Sequence, residues 1–416
     1  MNNSDIVEVE ENKDFYFNTI PSLAQKFKET SSKFIEVKDV YPINNKEVRL
    51  FCKTKDYIGF IKLPNEKTLF IKPKFGNANF VEMLIRSQTD YVHLLKNIVK
   101  TIDPADFFKF FEVLINNFLM LLKNLQLRKT YDPKIKNTKQ IKGRILLYRS
   151  LQKEQFLSGE FICQFDDFNH NSLENQIIKY TLLGILYFSN PFQKRVIKKY
   201  LKNFNKVQYK KILIPDFKRL RYNRLNFHYK PVHVYCRFFI EKFIFGALSG
   251  NREINSFLVN SWDVYERFLR QIFRDYLTDY EVLKDTFYDE SDNKFEIDIL
   301  IRKTTLNEKR VYLIADAKYK IEYDRRDDVG QMLRYLRFFT KQSNWSFPEG
   351  HRYSLLIYPR KDDDLLSESD EILIDYDEGH EIGNIKYTRI DLSKISDEKY
   401  IKKWVKNIKS KLLTPQ

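Results

Sequence analysis

Cysteine is scarce in this chain: Cys52, Cys163 and Cys236 form no C-x-x-C pair and no framework of short even spacings. That excludes a disulfide scaffold and a cysteine zinc site, and it makes a reduced cytoplasmic setting the expectation. Histidine is nearly as sparse. Of the six, only His228 and His233 stand close, and five residues across Pro231 is not a zinc-ligand spacing. Ordinary core or surface roles account for them. No G-x-x-x-x-G-K-S/T occurs, so these residues carry no P-loop. The start, "MNNSDIVEVEENKD", is polar and acidic, unlike a signal peptide. Long apolar runs are missing too. The most apolar stretch, 107–125, is interrupted by Lys109, Glu112, Asn116 and Asn117, short of the roughly 18 uncharged residues a membrane span needs. It reads as a buried helix, and no membrane association is expected.

What the chain has is positive charge. Lys and Arg number 72 against 56 acids, a net charge of +16, which favours an acidic partner, nucleic acid before a membrane surface. With 43% apolar and 31% charged residues the chain has the composition of a folded protein. Its 416 residues exceed one ordinary domain and suggest two or three units of roughly 100–200 residues each.

Three regions differ in pattern. Residues 1–100 contain strand-like stretches at "FIEVKDVYPI", "EVRLFCK", "YIGFIKL" and "TLFIKPKFG", the last two joined by the turn "PNEK", and helical spacing follows over 79–98. Residues 101–250 read as a helical middle region, broken near "YDPKIKNTKQIKGR" and "NPFQ". Within it, the segment 194–230 has thirteen Lys or Arg and one acid, Asp216, with aromatic residues interleaved. Contact with nucleic acid or another acidic partner is one account of that segment, and a solvated helix face is the other. Residues 251–416 begin with an amphipathic helix from 256, carrying Trp262, Tyr265, Leu269, Ile272, Phe273 and Tyr276 at helical spacing. Strands are expected at 281–289, 294–302 and 310–319, a helix at 327–342 and a strand at 352–359, with an acidic stretch at 362–381 and further strands "EILIDY" and "IKYTRIDL". The order αβββαβ describes an α/β unit with a mixed sheet. The whole is an α/β and α+β multidomain chain.

The candidate chemistry lies in "KFEIDILIRKTTLNEKRVYLIADAKYK", residues 294–320. Side chains repeat every two residues on a strand, so Asp316 and Lys318 share a face. Asp298, on the face opposite Phe295, Ile297 and Ile299, meets them if the two strands pair through the turn "KTTLNEK". Two carboxylates and the Ala317 carbonyl are hard oxygen donors suited to magnesium, with manganese as a substitute. Lys318 beside such an ion can orient or deprotonate a water and steady charge on phosphorus, which is phosphodiester hydrolysis. Glu266, on the apolar face of its helix, is a further candidate ligand, and Gln331 and Tyr335 stand one turn apart on the next helix. Each piece alone is weak. An acid-x-Lys triplet arises by chance roughly six or seven times at this composition, Asp298 can be a lysine's cross-strand partner, and Glu266 can pair with Arg270.

The ensemble resembles the PD-(D/E)xK nuclease superfamily, with "EID" supplying the first acid, "DAK" the second acid and lysine, and Gln331 and Tyr335 a Q-x-x-x-Y element; the proline is absent. Outside the site, "GFIKLPNEKTLFIKPKFGNANFVEML" (59–84), "KGRILLYRSL" (142–151), "FDDFNHNSLENQIIKYTL" (165–182), and "VGQMLRYLRFF" followed by "SLLIYP" resemble the McrC family, the nuclease subunit of McrBC-type modification-dependent restriction systems. The resemblance implies a restriction-endonuclease-like domain over 251–416, DNA as substrate, and a β-rich domain over 1–100 that docks on a separate hexameric AAA+ GTPase, McrB-like, and stimulates GTP hydrolysis.

Overall fold

Alternation of apolar and polar side chains over the first seventy residues produces two sheets. The computed structural model describes residues 6–63, 67–87, 107–152, 159–186, 189–242, 256–288, 294–304, 309–320, 325–341, 345–348, 352–360 and 383–413. In one sheet, β1 (Ile6–Glu10) runs parallel to β6 (Thr68–Lys72), which pairs antiparallel with β5 (Tyr57–Lys62). In the other, β2 (Asp14–Thr19) and β3 (Ile35–Pro42) flank β4 (Val48–Thr54), all antiparallel. On β4, Val48, Leu50, Cys52 and Thr54 are buried while Arg49 is exposed. The inward residues pack on Phe27 of α1 (Pro21–Ser31) and on Leu69 and Ile71 of β6. Helix α2 (Asn77–Arg86) follows Gly76, whose φ of 85° is one that a side chain rarely adopts. The part of the 79–98 helix beyond Ser87 and most of the "PNEK" turn lie outside the described residues.

The middle region is not purely helical. Between α3 (Phe107–Lys123) and the later helices stands a three-stranded antiparallel sheet: β9 (Phe161–Asn169) lies between β7 (Thr130–Thr138) and β8 (Arg144–Ile145), and α4 (Leu147–Gln152) leans on it. Pro133, Asn137 and Gly143 read in sequence as helix breakers; here they sit in or beside edge strands, where breakers are tolerated. Gly143 has φ of 63°, and a Cβ there would lie 2.4 Å from the Gln164 carbonyl oxygen, so "KGR" needs its glycine for both reasons. Helices α5 (Leu173–Leu186), α6 (Pro191–Asn203) and α7 (Lys230–Lys242) complete the region.

Its core holds an ordered polar knot. The amide of Asn175, fully buried, donates to the carbonyls of Arg128 (3.0 Å) and His170 (2.8 Å) and accepts from Tyr229 (2.8 Å). His233 donates through Nε2 to the Glu174 carbonyl (3.1 Å), which fixes Nδ1 as acceptor for Tyr222 (2.8 Å). Burial pushes its pKa down to about 4, so it stays neutral. Glu174 and Asn175, within "FDDFNHNSLENQIIKYTL", are therefore explained by packing.

Residues 256–260 depart from the expected helix. They form β10 (Ser256–Asn260), antiparallel to β5, and the helix α8 (Ser261–Tyr276) starts only where the Asn260 side chain accepts from the Asp263 amide (3.0 Å). β10 follows residue 250 in sequence yet belongs to the N-terminal sheet. The same junction is sealed by Glu11, 2% exposed, which accepts from Ser261 Oγ (2.7 Å) and the Lys74 amide (3.0 Å).

The C-terminal sheet has the order β11 (Glu281–Tyr288), β12 (Lys294–Thr304), β13 (Lys309–Ala317), β15 (Tyr353–Arg360), β16 (Asn384–Asp391), with β14 (Trp345–Ser346) beside β13. The first three are antiparallel and the last pairings parallel, a mixed sheet. Helix α8 covers one face, with Phe268, Leu269 and Phe273 against Ile299, Ile301 and Leu313. Helix α9 (Arg325–Lys341) covers the other, with Met332, Leu336 and Phe339 against Ile297, Leu300 and Ile314. Helix α10 (Glu398–Ile408) packs beside α8. The strand "IKYTRIDL" is β16; the acidic stretch 362–381 and "EILIDY" lie outside the described residues.

Candidate functional site

β12 and β13 pair antiparallel through Ile299 opposite Ala315, which sets Asp298 opposite Asp316 one step further on. On the other side, the register against β11 shifts: Ile297 stands opposite Asp285 and Leu300 opposite Leu283, so Asp298 and Ile299 together face Lys284. This is a β-bulge, and it breaks the strict alternation expected from the sequence. Ile297 and Leu300 face α9 while Ile299 faces α8, and Asp298 occupies the place where the strand changes over.

The two carboxylates are buried at 9% and 2% exposure. Asp298 Oδ2 accepts from the Ala317 amide (3.0 Å), and Arg270 Nε, from α8, donates to the Asp298 carbonyl (2.8 Å). Burial first, then repulsion from Asp316 and Glu266, raises the Asp298 carboxyl pKa to about 8. Burial raises that of Asp316 too, against the pull of Lys318. Asp316 Oδ2 receives no hydrogen bond of acceptable geometry although the Lys318 ammonium stands 2.5 Å away. Burial acts to lower the pKa of Lys318, but Asp316 and Asp328 (3.5 Å) outweigh it and the net shift is upward, so the ammonium stays charged.

α9 fixes that ammonium. Lys318 Nζ donates to Gln331 Oε1 (2.6 Å), Gln331 Nε2 to the Tyr335 hydroxyl (2.6 Å), and that hydroxyl to the Glu296 carbonyl (2.6 Å). Gln331 and Tyr335, four residues apart, thus form one relay from β13 back to β12. Glu266 sits on α8 with Lys284 Nζ at 2.8 Å and Arg270 Nη2 at 3.7 Å, so its charge is already shared. A cavity of about 680 Å³ is lined by all seven residues singled out in the sequence, Glu266, Asp298, Asp316, Ala317, Lys318, Gln331 and Tyr335. Trp262, Arg334 and Lys294 also line it.

Sequence reasoning missed Asp328. It is 3% exposed, accepts from Tyr358 (2.6 Å), and pairs with Lys320 (2.7 Å) as well as Lys318. An acid in the first turn of a helix is ordinarily solvated and read as a dipole partner; its position one turn before Gln331 was the available signal. Lys284 was missed as well; Arg270, expected as the i,i+4 partner of Glu266, does stand beside it, and both cations neutralise the carboxylate side of the cavity.

Among the described residues no group of three His, Cys, Asp or Glu stands close enough to hold a metal ion. The candidate donors that line the cavity are Asp298, Asp316, Ala317 and Glu266, and Glu266 is already paired with Lys284. A magnesium ion that keeps several waters and takes one or two carboxylates fits that set, and the mutual repulsion of the two buried carboxyls, only partly offset by the Lys318 ammonium, is where a cation removes an electrostatic cost.

Residues 52–359 match the family described as McrBC 5-methylcytosine restriction system component. The chain belongs to the McrBC family. Every cavity-lining residue named above lies inside the matched span. Among McrBC relatives, the Type IV methyl-directed restriction enzyme EcoKMcrBC of Escherichia coli strain K12 is 27% identical over 281 residues, covering 60% of this chain and 75% of that protein. The fold resembles that of a chain in the Thermococcus gammatolerans assembly of McrB AAA+ hexamers with bound McrC, at 16% identity and a TM-score of 0.54, over 97% of this chain and 100% of that one. No helix among the described residues is long and apolar enough to cross a membrane.

Proposed function

We propose that this McrBC component is the nuclease subunit, McrC-like, hydrolysing DNA phosphodiesters with magnesium at Asp298, Asp316 and the Ala317 carbonyl. The observation that carries the reading is the convergence, in one cavity, of two buried cross-strand aspartates with a charged lysine held by Gln331 and Tyr335. The arrangement suits a PD-(D/E)xK nuclease. The absence of a P-loop supports the McrC assignment over the GTPase one.

The bound ion would act as a Lewis acid on a phosphate oxygen and lower the pKa of a water. The protein's own groups do the rest. Lys318, kept charged by Asp316 and Asp328, opposes the negative charge that develops on the phosphoryl oxygens. It therefore serves as an electrostatic group, and proton removal falls to solvent rather than to its amine. Gln331 and Tyr335 hold the ammonium in one position, so little reorganisation is needed during reaction. Lys294 and Arg334 on the lining suit the flanking phosphates.

The partner in this reading is a hexameric AAA+ GTPase of the McrB type, with the N-terminal β-rich unit as the docking element, and the role is restriction of foreign DNA. Mixing the full chain with its McrB-type partner, GTP, magnesium and methylated plasmid is expected to give cleavage that disappears when any one component is left out. Cutting by the chain alone, without partner or GTP, would instead favour a stand-alone nuclease.

A further inference from the structure

Helix α6 has two unlike faces. Its start is fixed by a reciprocal cap in which Asn190 Oδ1 accepts from the Gln193 amide (2.8 Å) and Gln193 Oε1 from the Asn190 amide (3.1 Å). Gln193 and Ile197 are buried, and the Gln193 amide reaches the Glu112 carbonyl (2.9 Å) and Asn116 (2.8 Å) on α3. The apolar face is thus spent on the core. On the opposite side Arg195, Lys198, Lys199 and Lys202, spaced i, i+3, i+4 and i+7, are all exposed.

Exposed cations continue at Lys206 and Lys211 and again between 218 and 230. The single acid of the segment, Asp216, is taken by Lys210 (2.9 Å) and Arg219 (3.4 Å). None of the four α6 cations, nor Lys206 or Lys211, pairs with an acid among the described residues. A merely solvated face mixes both signs. A protein-docking face is depleted in lysine. A membrane-binding helix keeps an apolar face free to insert, and this one has buried it. Uncompensated lysine and arginine along about 10 Å of helix axis, a length of about three base-pair steps, suits a phosphate backbone.

We infer that the Arg195–Lys202 face of α6, extended by Lys206 and Lys211, is a duplex-DNA backbone track outside the cleavage cavity. It rests on the reading of the chain as a DNA nuclease subunit. Contacts of this kind position the duplex without reading bases, so the track holds DNA for the cavity and leaves recognition elsewhere.

The test uses the full chain, a short fluorescein-labelled duplex and anisotropy titrations in EDTA across a range of KCl, so that a failure of cleavage chemistry leaves the readout intact. Changing Arg195, Lys198, Lys199 and Lys202 to Ala together is expected to make the log affinity against log salt slope shallower by about 3–4, near 0.9 per phosphate contact, and to weaken binding on the order of 100-fold at low salt. Lys198→Arg, Lys199→Arg and Lys202→Arg together keep the charge and should keep both values. An unchanged slope in the alanine variant overturns the inference. So does duplex binding that persists while association with the GTPase partner is lost, which would make the face a protein dock.

Discussion

In metal-free buffer at pH 9, Asp298→Asn is expected to be more stable than the parent by about 2–5 kcal/mol, while cutting no DNA. Asp298 carries a folded pKa of about 8 against an ordinary 3.8, first through burial and then through Asp316 and Glu266. A carboxyl whose pKa is raised by folding contributes stability that is complete below its unfolded value and lost as pH climbs through the folded value. The parent should therefore weaken in urea titrations between about pH 5 and pH 9, and the two aspartates titrate as a pair. Asparagine keeps an acceptor for the Ala317 amide and has no charge to bury, so the variant's profile should stay nearly flat over that range. Adding magnesium should restore the parent at high pH and do little for the variant. Parallel pH profiles for the two proteins would mean that the carboxyl pair is not strained in the folded state.

Lys318→Met should cost cleavage about 10³-fold, the scale of losing a positioned group that opposes transition-state charge. It should also lower stability, because Asp316 and Asp328 lose a buried counter-charge. The informative readout is the split between two activities of one preparation: plasmid cutting lost, stimulation of the partner's GTP hydrolysis kept. Since Lys318 follows a strand of the C-terminal sheet, which shares no strand with the N-terminal sheets, a folded variant should retain the second. A drop in cutting of less than about tenfold would remove Lys318 from the reaction and leave it as a neutraliser of buried acids.

The site was legible because aspartate and lysine are costly in a buried strand, and their presence in "EIDILI" and "LIADAKY" stands out against that cost. The hairpin followed from two apolar runs joined by a polar turn. The bulge at Asp298 and Ile299 left no mark, since both residues fit a regular strand equally well. Asp328 stayed hidden for a related reason: its burial depends on Tyr358, thirty residues away, closing over it. β7 and β8 were hidden by Pro133 and Gly143, breakers that edge strands accept, and β10 by a run, "SFLVN", whose strand state is decided by β5 rather than by its own spacing. Long-range pairing was the missing information in each case.

The most direct measurement is cleavage of methylated plasmid by the reconstituted complex containing Asp316→Ala. This substitution relieves the repulsion on Asp298 and leaves the Lys318 ammonium its Asp328 partner, so the chain should fold and still stimulate the partner's GTP hydrolysis. The account predicts intact plasmid after complete turnover of GTP. Linear product at the parental rate would contradict it.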